Sequence, residues 1–264
     1  MKGVILAGGL GSRLFPLTKI TNKHLLPIYD KPMIYYPLMT LIEAGITDIM
    51  IVTGGDHAGN FLRLLGNGNE FGLKGISYTY QEAEGGIAEA LALTEHFADG
   101  KKIIVMLGDN IIEKNIRSEV EEFSKQKEGS RIIIKEVSNP ERFGVIEFDK
   151  DKIVRIVEKP KDPKSKYAVT GIYMYDNKVF DMIKRLSPSD RGELEITDVN
   201  NMYLKKGELE YSKLDGWWTD AGTFESLLNA SKLVAERSEG LKVQRSKSQK
   251  VEKSKGRKSK EIRA

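Results

Sequence analysis

Short apolar runs alternate with helical patterns through the first 110 residues of the chain. Four runs have the length and composition of buried strands, at residues 3–7, 49–53, 76–80 and 103–107. The segments between them predict helices that begin at Pro32, near Asp56 and near Ile87. Strands and helices that alternate in this order predict βαβ units and a mainly parallel sheet flanked by helices.

The pattern changes after residue 132, where paired strands replace this alternation. Residues 144–148 and 153–158 flank Asp149-Lys150-Asp151 and predict a hairpin, and residues 168–175 predict a further strand. A helix is predicted at residues 224–235. The sequence therefore predicts an α/β fold whose parallel sheet carries an inserted antiparallel portion. Right-handed crossovers place the loops after parallel strands along one sheet edge, where we expect the ligand site.

The amino-acid composition excludes several kinds of catalytic and metal site and argues against a membrane protein. The 264 residues contain no cysteine, which excludes disulfides, thiolate catalysis and cysteine-bound zinc. Because the chain has only three histidines, we expect carboxylates to bind any metal. No apolar run approaches the roughly 20 residues that a membrane-spanning helix needs, and the N-terminal apolar segment is too short for a signal peptide. We expect a soluble cytoplasmic protein with no membrane partner.

The net charge of +4 conceals a strong asymmetry along the chain. Residues 237–264 hold 11 Lys or Arg against 3 Asp or Glu, whereas 31 basic residues face 35 acidic ones before them. Apolar periodicity ends in the same region, so we expect residues 244–264 to form a basic, disordered tail. The tail has no aromatic residue that could stack on a base, so specific nucleic-acid binding is not expected.

The first predicted strand leads directly into Ala7-Gly8-Gly9-Leu10-Gly11-Ser12-Arg13. Glycines let backbone N–H groups turn inward and cradle phosphate oxygens, so this loop is a candidate phosphate site. It is not a Walker A loop, because no Gly-Lys-Ser/Thr follows, and Leu14 stands where the dinucleotide fingerprint has its third glycine. An ordinary turn between strand and helix is the alternative interpretation.

Cations follow the loop at Arg13, Lys23 and Lys31. The run from Leu6 to Thr18, with Lys23-His-Leu-Leu-Pro and Asp30-Lys-Pro-Met-Ile-Tyr-Tyr-Pro, resembles the glucose-1-phosphate thymidylyltransferases, a family of sugar-phosphate nucleotidyltransferases. Further motifs carry the resemblance, at Gly108-Asp-Asn, Asn139-Pro-Glu-Arg-Phe-Gly-Val, Glu158-Lys-Pro, Gly192-Glu-Leu-Glu-Ile-Thr-Asp and Trp218-Thr-Asp-Ala-Gly-Thr. The likeness covers residues 1–243, and it implies one catalytic domain with a Rossmann-like nucleotidyltransferase fold.

The resemblance implies nucleotidyl transfer from dTTP to glucose 1-phosphate, which gives dTDP-glucose and pyrophosphate. A sugar-phosphate oxygen attacks the α-phosphorus in line, so the reaction needs cations, a metal and alignment. Asp109 follows a predicted strand and should emerge at the ligand-binding edge, and the resemblance makes it a Mg²⁺ ligand together with Asp220. Magnesium suits two carboxylates because it keeps waters and takes its other ligands from substrate phosphates.

The glycine loop places Arg13 to hold the departing pyrophosphate, while Lys23 would meet charge nearer the α-phosphate. Gln81 ends the third predicted strand, and its amide can donate to and accept from one edge of thymine or uracil. The expected nucleotide site is completed by Leu6, Gly8, Gly9, Gly11, Ser12, Gly85, Gly86 and Asp109.

The resemblance also implies a sugar-phosphate site. Lys159 would pair with the sugar phosphate, Glu158 would accept from sugar hydroxyls, and Gly144 and Val169 would line the sugar. Trp218 is a further candidate on the sugar side, with packing as its alternative role. The expected catalytic set is Arg13, Lys23, Asp109, Lys159 and Asp220.

Alternatives remain for the donor and for the class of protein. UTP is the alternative donor, since thymine and uracil differ by one methyl group. The other hypotheses are a non-catalytic, nucleotide-binding regulatory subunit and a protein whose basic tail binds nucleic acid or an anionic surface without sequence specificity. The resemblance implies a homodimer or homotetramer. Because the chain departs from its bacterial relatives after Val243, no residue of their second, regulatory nucleotide site is carried over from the resemblance, and the existence of such a site stays an open alternative.

Overall fold

The computed structural model describes residues 1–240 and contains one mixed sheet of nine strands. The strands of the described chain are β1 (Lys2–Ala7), β2 (Pro27–Ile28), β3 (Lys31–Pro32), β4 (Asp48–Gly54), β5 (Gly75–Gln81), β6 (Ile103–Leu107), β7 (Asn110–Ile112), β8 (Ser130–Glu136), β9 (Gly144–Asp149), β10 (Lys152–Glu158), β11 (Tyr167–Tyr175), β12 (Leu209–Lys213) and β13 (Trp218–Asp220). The helices are α1 (Tyr35–Glu43), α2 (Ala58–Leu65), α3 (Ile87–Ala92), α4 (Glu95–Ala98), α5 (Arg117–Lys125), α6 (Lys178–Ile183), α7 (Ile196–Lys205) and α8, at residues 224–240 of the described chain.

Strands β5, β4, β1 and β6 lie side by side in that order and run parallel. Successive side chains of a strand point to opposite faces, so Val4 and Leu6 pack into one apolar cluster and Ile5 and Ala7 into another. Helices α3, α6 and α7 contribute to the first cluster, and α1, α2 and α5 to the second. The four predicted strands are confirmed to within one residue at each end.

The antiparallel portion is built around β11, which pairs with β6 and with β8. The hairpin of β9 and β10 joins β11 where Ala168 lies opposite Val145, and β12 adds to β8 in parallel. Lys150 allows the tight turn of this hairpin by adopting a φ of 54°. The predicted fold class, a mainly parallel sheet with an inserted antiparallel portion, is confirmed.

Two predicted helices have different bounds in the structure. The helix expected from Pro32 begins at Tyr35, because Pro32 pairs with Pro27 in the small sheet of β2 and β3. The helix expected from Ile87 is divided into α3 and α4. Between them the Thr94 hydroxyl donates to the Leu91 carbonyl at 2.7 Å, and such a side-chain bond competes with the helical backbone pattern.

The C-terminal helix continues beyond its predicted end at residue 235 and reaches residue 240. The predicted domain boundary at residue 243 and the expected disordered tail at residues 244–264 lie outside the described residues. None of the helices described in residues 1–240 combines the length and the apolar character needed to cross a membrane.

The turn that carries Lys23 is tied to the end of β1. The Asn22 side chain donates to the Ala7 carbonyl at 3.3 Å and accepts from the His24 backbone N–H at 2.9 Å. The His24 ring is buried, and its Nδ1 lies 2.8 Å from Asn22 Oδ1. Burial, aided by the adjacent Lys23 charge, lowers the pKa of His24 to about 3. The neutral ring therefore supports the loop.

This buried neutral histidine predicts a pH dependence of stability. The unfolded ring takes up a proton below a pH of about 6.5, whereas the folded ring does so only near its pKa of about 3, so stability falls as the pH falls. From about pH 7 to about pH 5, we expect wild type to lose about 2 kcal/mol more free energy of unfolding than His24→Gln. Chemical denaturation at both pH values measures the difference.

The exposed His96 on α4 provides the control for this experiment. His96→Gln should show the same pH dependence as wild type. Equal losses of stability in wild type and in His24→Gln would contradict a buried ring that stays neutral.

Candidate active site

The glycine loop after β1 forms one wall of a cleft of about 750 Å³. Gly11 has a φ of 69°, and a Cβ there would lie 2.9 Å from both Lys23 Cβ and Thr18 Cγ2. The Thr18 hydroxyl donates to the Gly11 carbonyl at 2.9 Å. Backbone conformation and space therefore both require glycine here, and the close fit brings Lys23 against the loop.

Asp109 lies buried in the cleft, two residues after β6 ends. Lys23 Nζ lies 2.6 Å from Asp109 Oδ2, and Asn110 Nδ2 donates to Asp109 Oδ1 at 3.0 Å. Burial alone would raise the pKa of Asp109, but the charge of Lys23 and these two hydrogen bonds hold it well below its usual range. Asp109 is therefore a carboxylate near neutral pH, with Lys23 as its counter-ion.

Asp220 reaches the same place from a distant part of the sequence. Strand β13 pairs with β7 so that Asp220 lies opposite Asn110. Arg142 Nη2 lies 3.0 Å from Asp220 Oδ2 and 3.3 Å from its Oδ1. Burial, followed by the charge of Asp109, raises the pKa of Asp220, and the charge of Arg142 opposes that shift.

Three charged groups converge on Gly222. A Cβ at this position would lie 3.0 Å from Arg13 Nη2, 3.4 Å from Asp220 Oδ2 and 3.5 Å from Asp109 Oδ2. The two carboxylates therefore face one small volume, with a cation from the glycine loop beside them. Within residues 1–240 no group of three or more His, Asp or Glu side chains is arranged to hold a metal. Two carboxylates fit a divalent cation that also takes ligands from water and phosphates.

The end of β5 and the loop after it carry the residues expected to contact the base. Gln81 is buried, its Nε2 lies 3.4 Å from the Gly86 carbonyl oxygen, and a Cβ on Gly8 would lie 2.8 Å from its Oε1. A Cβ on Gly85 would lie 1.1 Å from Glu89 Oε2. Gly8 therefore leaves room for the Gln81 side chain beside the glycine loop, and Gly85 leaves room for the Glu89 carboxylate of α3.

The antiparallel portion forms the opposite part of the cleft. Glu158 Oε2 accepts from the Thr197 hydroxyl at 2.6 Å, and Lys159 Nζ lies 3.6 Å from Glu158 Oε1. Lys159 has a φ of 41°, which is uncommon for a residue with a side chain, and its N–H donates to the Phe143 carbonyl at 3.0 Å. These contacts fix the backbone from which the Lys159 ammonium extends.

Trp218 is held by Asn110, the residue whose amide nitrogen also contacts the Asp109 carboxylate. The indole Nε1 donates to Asn110 Oδ1 at 2.7 Å, and the Gly171 N–H donates to the same oxygen at 3.0 Å. The rings of Trp218 and Phe143 pack with centroids 4.9 Å apart. Trp218 therefore packs against its neighbours and also lines the cleft.

The structure brings nearly all the residues of the predicted site into one cleft. The cleft is lined by Leu6, Gly9, Gly11, Ser12, Arg13, Lys23, Gln81, Gly86, Asp109, Gly144, Glu158, Lys159, Val169, Trp218 and Asp220. The two residues that do not line it are Gly8 and Gly85, which lie behind the wall against Gln81 and Glu89.

Several charged residues of the cleft were not assigned from the sequence. Arg142 pairs with Asp220, and Arg191 Nη2 lies 2.9 Å from Glu195 Oε2 and 3.0 Å from Glu193 Oε2. Both arginines lie in or beside motifs that carry the family resemblance. Only the fold shows that these side chains line the cleft, because the sequence gives no direction for a loop side chain.

Comparison with known sequences shows which proteins the chain is similar to. The profile of the family described as Nucleotidyl transferase matches residues 2–237. A glucose-1-phosphate thymidylyltransferase of Neisseria meningitidis serogroup A is 47% identical over 238 residues, which cover 89% of this chain and 82% of the relative. The protein of that name from Mycolicibacterium smegmatis is 47% identical over 249 residues, which cover 92% of this chain and 86% of the relative.

Solved structures give the same relationship. A structure from Bacillus anthracis, provisionally assigned as a glucose-1-phosphate thymidylyltransferase and complexed with a sucrose, is 57% identical with a TM-score of 0.85 over 88% of this chain and 94% of that one. A UDP-glucose pyrophosphorylase complexed with UDP-glucose is 26% identical with a TM-score of 0.79 over 89% of this chain and 98% of that one. The chain therefore belongs to the nucleotidyl transferase family, among the glucose-1-phosphate thymidylyltransferases.

Proposed function

We propose that the protein transfers a thymidylyl group from dTTP to glucose 1-phosphate, forming dTDP-glucose and pyrophosphate, with Mg²⁺ held by Asp109 and Asp220. The observation that carries the proposal is the convergence of these carboxylates and Arg13 on Gly222. Two carboxylates beside a phosphate-binding loop are the parts that phosphoryl chemistry with a divalent cation requires. The relatives' shared name supports the choice of substrates.

The donor nucleotide lies along the parallel part of the sheet in this proposal. The guanidinium of Arg13 presents a planar fork of donors to the phosphates that leave, and Lys23 stabilises charge near the α-phosphate. The base lies against Gln81 and Gly86, where the buried amide faces a pyrimidine edge. Leu6, Gly9, Gly11 and Ser12 border the nucleotide. Gly8 leaves room for the Gln81 side chain, and Gly85 leaves room for the Glu89 side chain of α3.

Glucose 1-phosphate lies on the antiparallel side. Lys159 binds its phosphate, and Glu158, oriented by Thr197, accepts from sugar hydroxyls. The sugar is bordered by Gly144, Val169 and Trp218. An oxygen of the glucose 1-phosphate phosphate group forms the new bond to the α-phosphorus of dTTP. The bond between the α-phosphorus and the oxygen that bridges it to the β-phosphorus breaks, and this oxygen leaves with pyrophosphate. No side chain becomes bonded to the substrate.

Lys23 pairs with Asp109 and Arg142 pairs with Asp220, and the two cations offset part of the cost of burying both carboxylates in one small volume. This arrangement fits Mg²⁺, which would supply positive charge at the α-phosphate during transfer. The Oδ2 atoms of Asp109 and Asp220 both lie beside Gly222, and each also contacts its cation, so Mg²⁺ would share these carboxylates with Lys23 and Arg142.

Pyrophosphate release tests the proposal directly. Wild type with dTTP, glucose 1-phosphate and Mg²⁺ should release pyrophosphate, and omission of Mg²⁺ should abolish release. Asp109→Asn preserves side-chain shape but removes the charge, so we expect kcat to fall at least about 100-fold. Asp215→Asn, the same change at an exposed position, should leave kcat within about twofold.

A donor panel in the same assay distinguishes the remaining alternatives. The similarity to a UDP-glucose pyrophosphorylase makes UTP the second donor to test. One methyl group contributes about 1–3 kcal/mol to discrimination, so we expect a preference for dTTP of about 10- to 200-fold. No release with dTTP, UTP, CTP, ATP or GTP, from folded protein that binds nucleotide, would contradict the transferase proposal and favour the regulatory subunit.

Lys159 tests the acceptor side separately. Lys159→Met removes a charge-assisted contact with the sugar phosphate, so we expect kcat/KM for glucose 1-phosphate to fall about 10- to 100-fold with KM for dTTP nearly unchanged. Lys161→Met, at an exposed position two residues further on, should change neither value. A rise in KM for dTTP alone would place Lys159 on the donor side and contradict the assignment.

We also propose that the protein acts in the cytoplasm as a homodimer or homotetramer. Phe224 and Leu228 lie one turn apart on α8 and expose 44% and 57% of their surface. A second copy of the chain would cover this apolar pair. Light scattering on the full-length protein should give two or four times the chain mass, and a monomer at micromolar concentration would contradict the proposal.

A further inference from the structure

Glu84 lies on the loop between β5 and α3, and its carboxylate contacts the glycine loop. The Leu10 backbone N–H donates to Glu84 Oε1 at 3.1 Å, and both residues line the cleft. The proposed function places the donor phosphates along the same glycine loop. A carboxylate of the protein therefore occupies one of the backbone donors in the phosphate-binding segment.

The neighbouring donors of the glycine loop are open. Within residues 1–240, the N–H groups of Gly9, Gly11 and Ser12 make no hydrogen bond. Backbone N–H groups gathered in such a loop attract anions of any kind, and carboxylate and phosphate oxygens accept from them in the same way. A phosphate group on this loop would accept from the same set of backbone donors as Glu84.

The charge of Glu84 has no cationic partner in the described chain. No Lys or Arg within residues 1–240 forms an ion pair with it, whereas Glu158 and Glu195 on the sugar side pair with Lys159 and Arg191. An unneutralised carboxylate near the loop repels phosphate charge in addition to occupying a donor. Both effects act against bound polyphosphate.

We propose that Glu84 sets the affinity for the donor nucleotide and for pyrophosphate by competing with their phosphates for the glycine loop. The inference rests on the proposed function, which places these phosphates on the loop. Binding of dTTP moves the carboxylate off the Leu10 N–H, and after transfer the carboxylate returns to it as pyrophosphate leaves. Glu84 therefore weakens substrate binding and product binding alike, and it limits inhibition by pyrophosphate.

Glu82 provides a matched control on the same loop. Glu84→Gln and Glu82→Gln change the net charge equally and preserve side-chain size, and both positions are exposed. Glu82 does not line the cleft. Calorimetry on the full-length protein, with inorganic pyrophosphate and with dTTP, should show Kd falling about 5- to 50-fold for both ligands in Glu84→Gln and less than about twofold in Glu82→Gln. The difference in Kd between Glu84→Gln and wild type should become smaller at high salt, because salt screens the charge of Glu84.

The outcomes separate the inference from the function on which it rests. Equal affinities in wild type and Glu84→Gln, or equal tightening in the two variants, would overturn the competition. Weaker dTTP binding by Glu84→Gln would also overturn it, because Glu84 would then be a nucleotide ligand. Wild type that binds neither pyrophosphate nor dTTP would overturn both proposals. Wild type that binds both and releases pyrophosphate keeps the proposed function intact, whatever the Glu84 variant shows.

Discussion

Two carboxylates that face one small volume are the constraint on which the rest of the site depends. Asp109 and Asp220 repel each other, and burial increases the cost of their charges. Each is stabilised by a cation from a different part of the fold, Lys23 from the loop after β1 and Arg142 from the antiparallel portion. The electrostatics of the site therefore require the parallel and antiparallel portions to be assembled together.

The short pairing of β7 with β13 fixes the distance between these carboxylates. It places Asp220 opposite Asn110, and the Ala221 N–H donates to the Asp109 carbonyl at 2.9 Å. The Asn110 side chain then contacts Asp109 through its amide nitrogen and Trp218 through its oxygen. Because the amide oxygen must accept two N–H groups, its orientation is determined. Asn110 therefore contacts both the Asp109 carboxylate and the Trp218 indole, and it fixes their relative positions.

The sequence predicted the strands and the edge at which Asp109 lies, because buried apolar runs and βαβ order have direct structural consequences. The glycine loop could be predicted equally well, since its conformation depends on the residues of the loop itself. Arg142 could not be assigned in this way, because an arginine in a loop is usually solvated and only the β7–β13 pairing brings Asp220 to it. The start of α1 was missed because Pro32 suits a short strand as well as a first helical turn.

Glycines illustrate a second limit on sequence-based assignment. Gly8 and Gly85 were expected to contact the nucleotide, yet a Cβ on either would meet Gln81 or Glu89 of the chain itself. Gly54 has the same character, because a Cβ there would lie 2.6 Å from the Gly8 carbonyl oxygen. A glycine can be needed because a ligand approaches the backbone closely. It can equally be needed because another part of the chain does so. The sequence cannot separate the two causes, whereas the packing shows contacts within the chain at Gly8, Gly85 and Gly54.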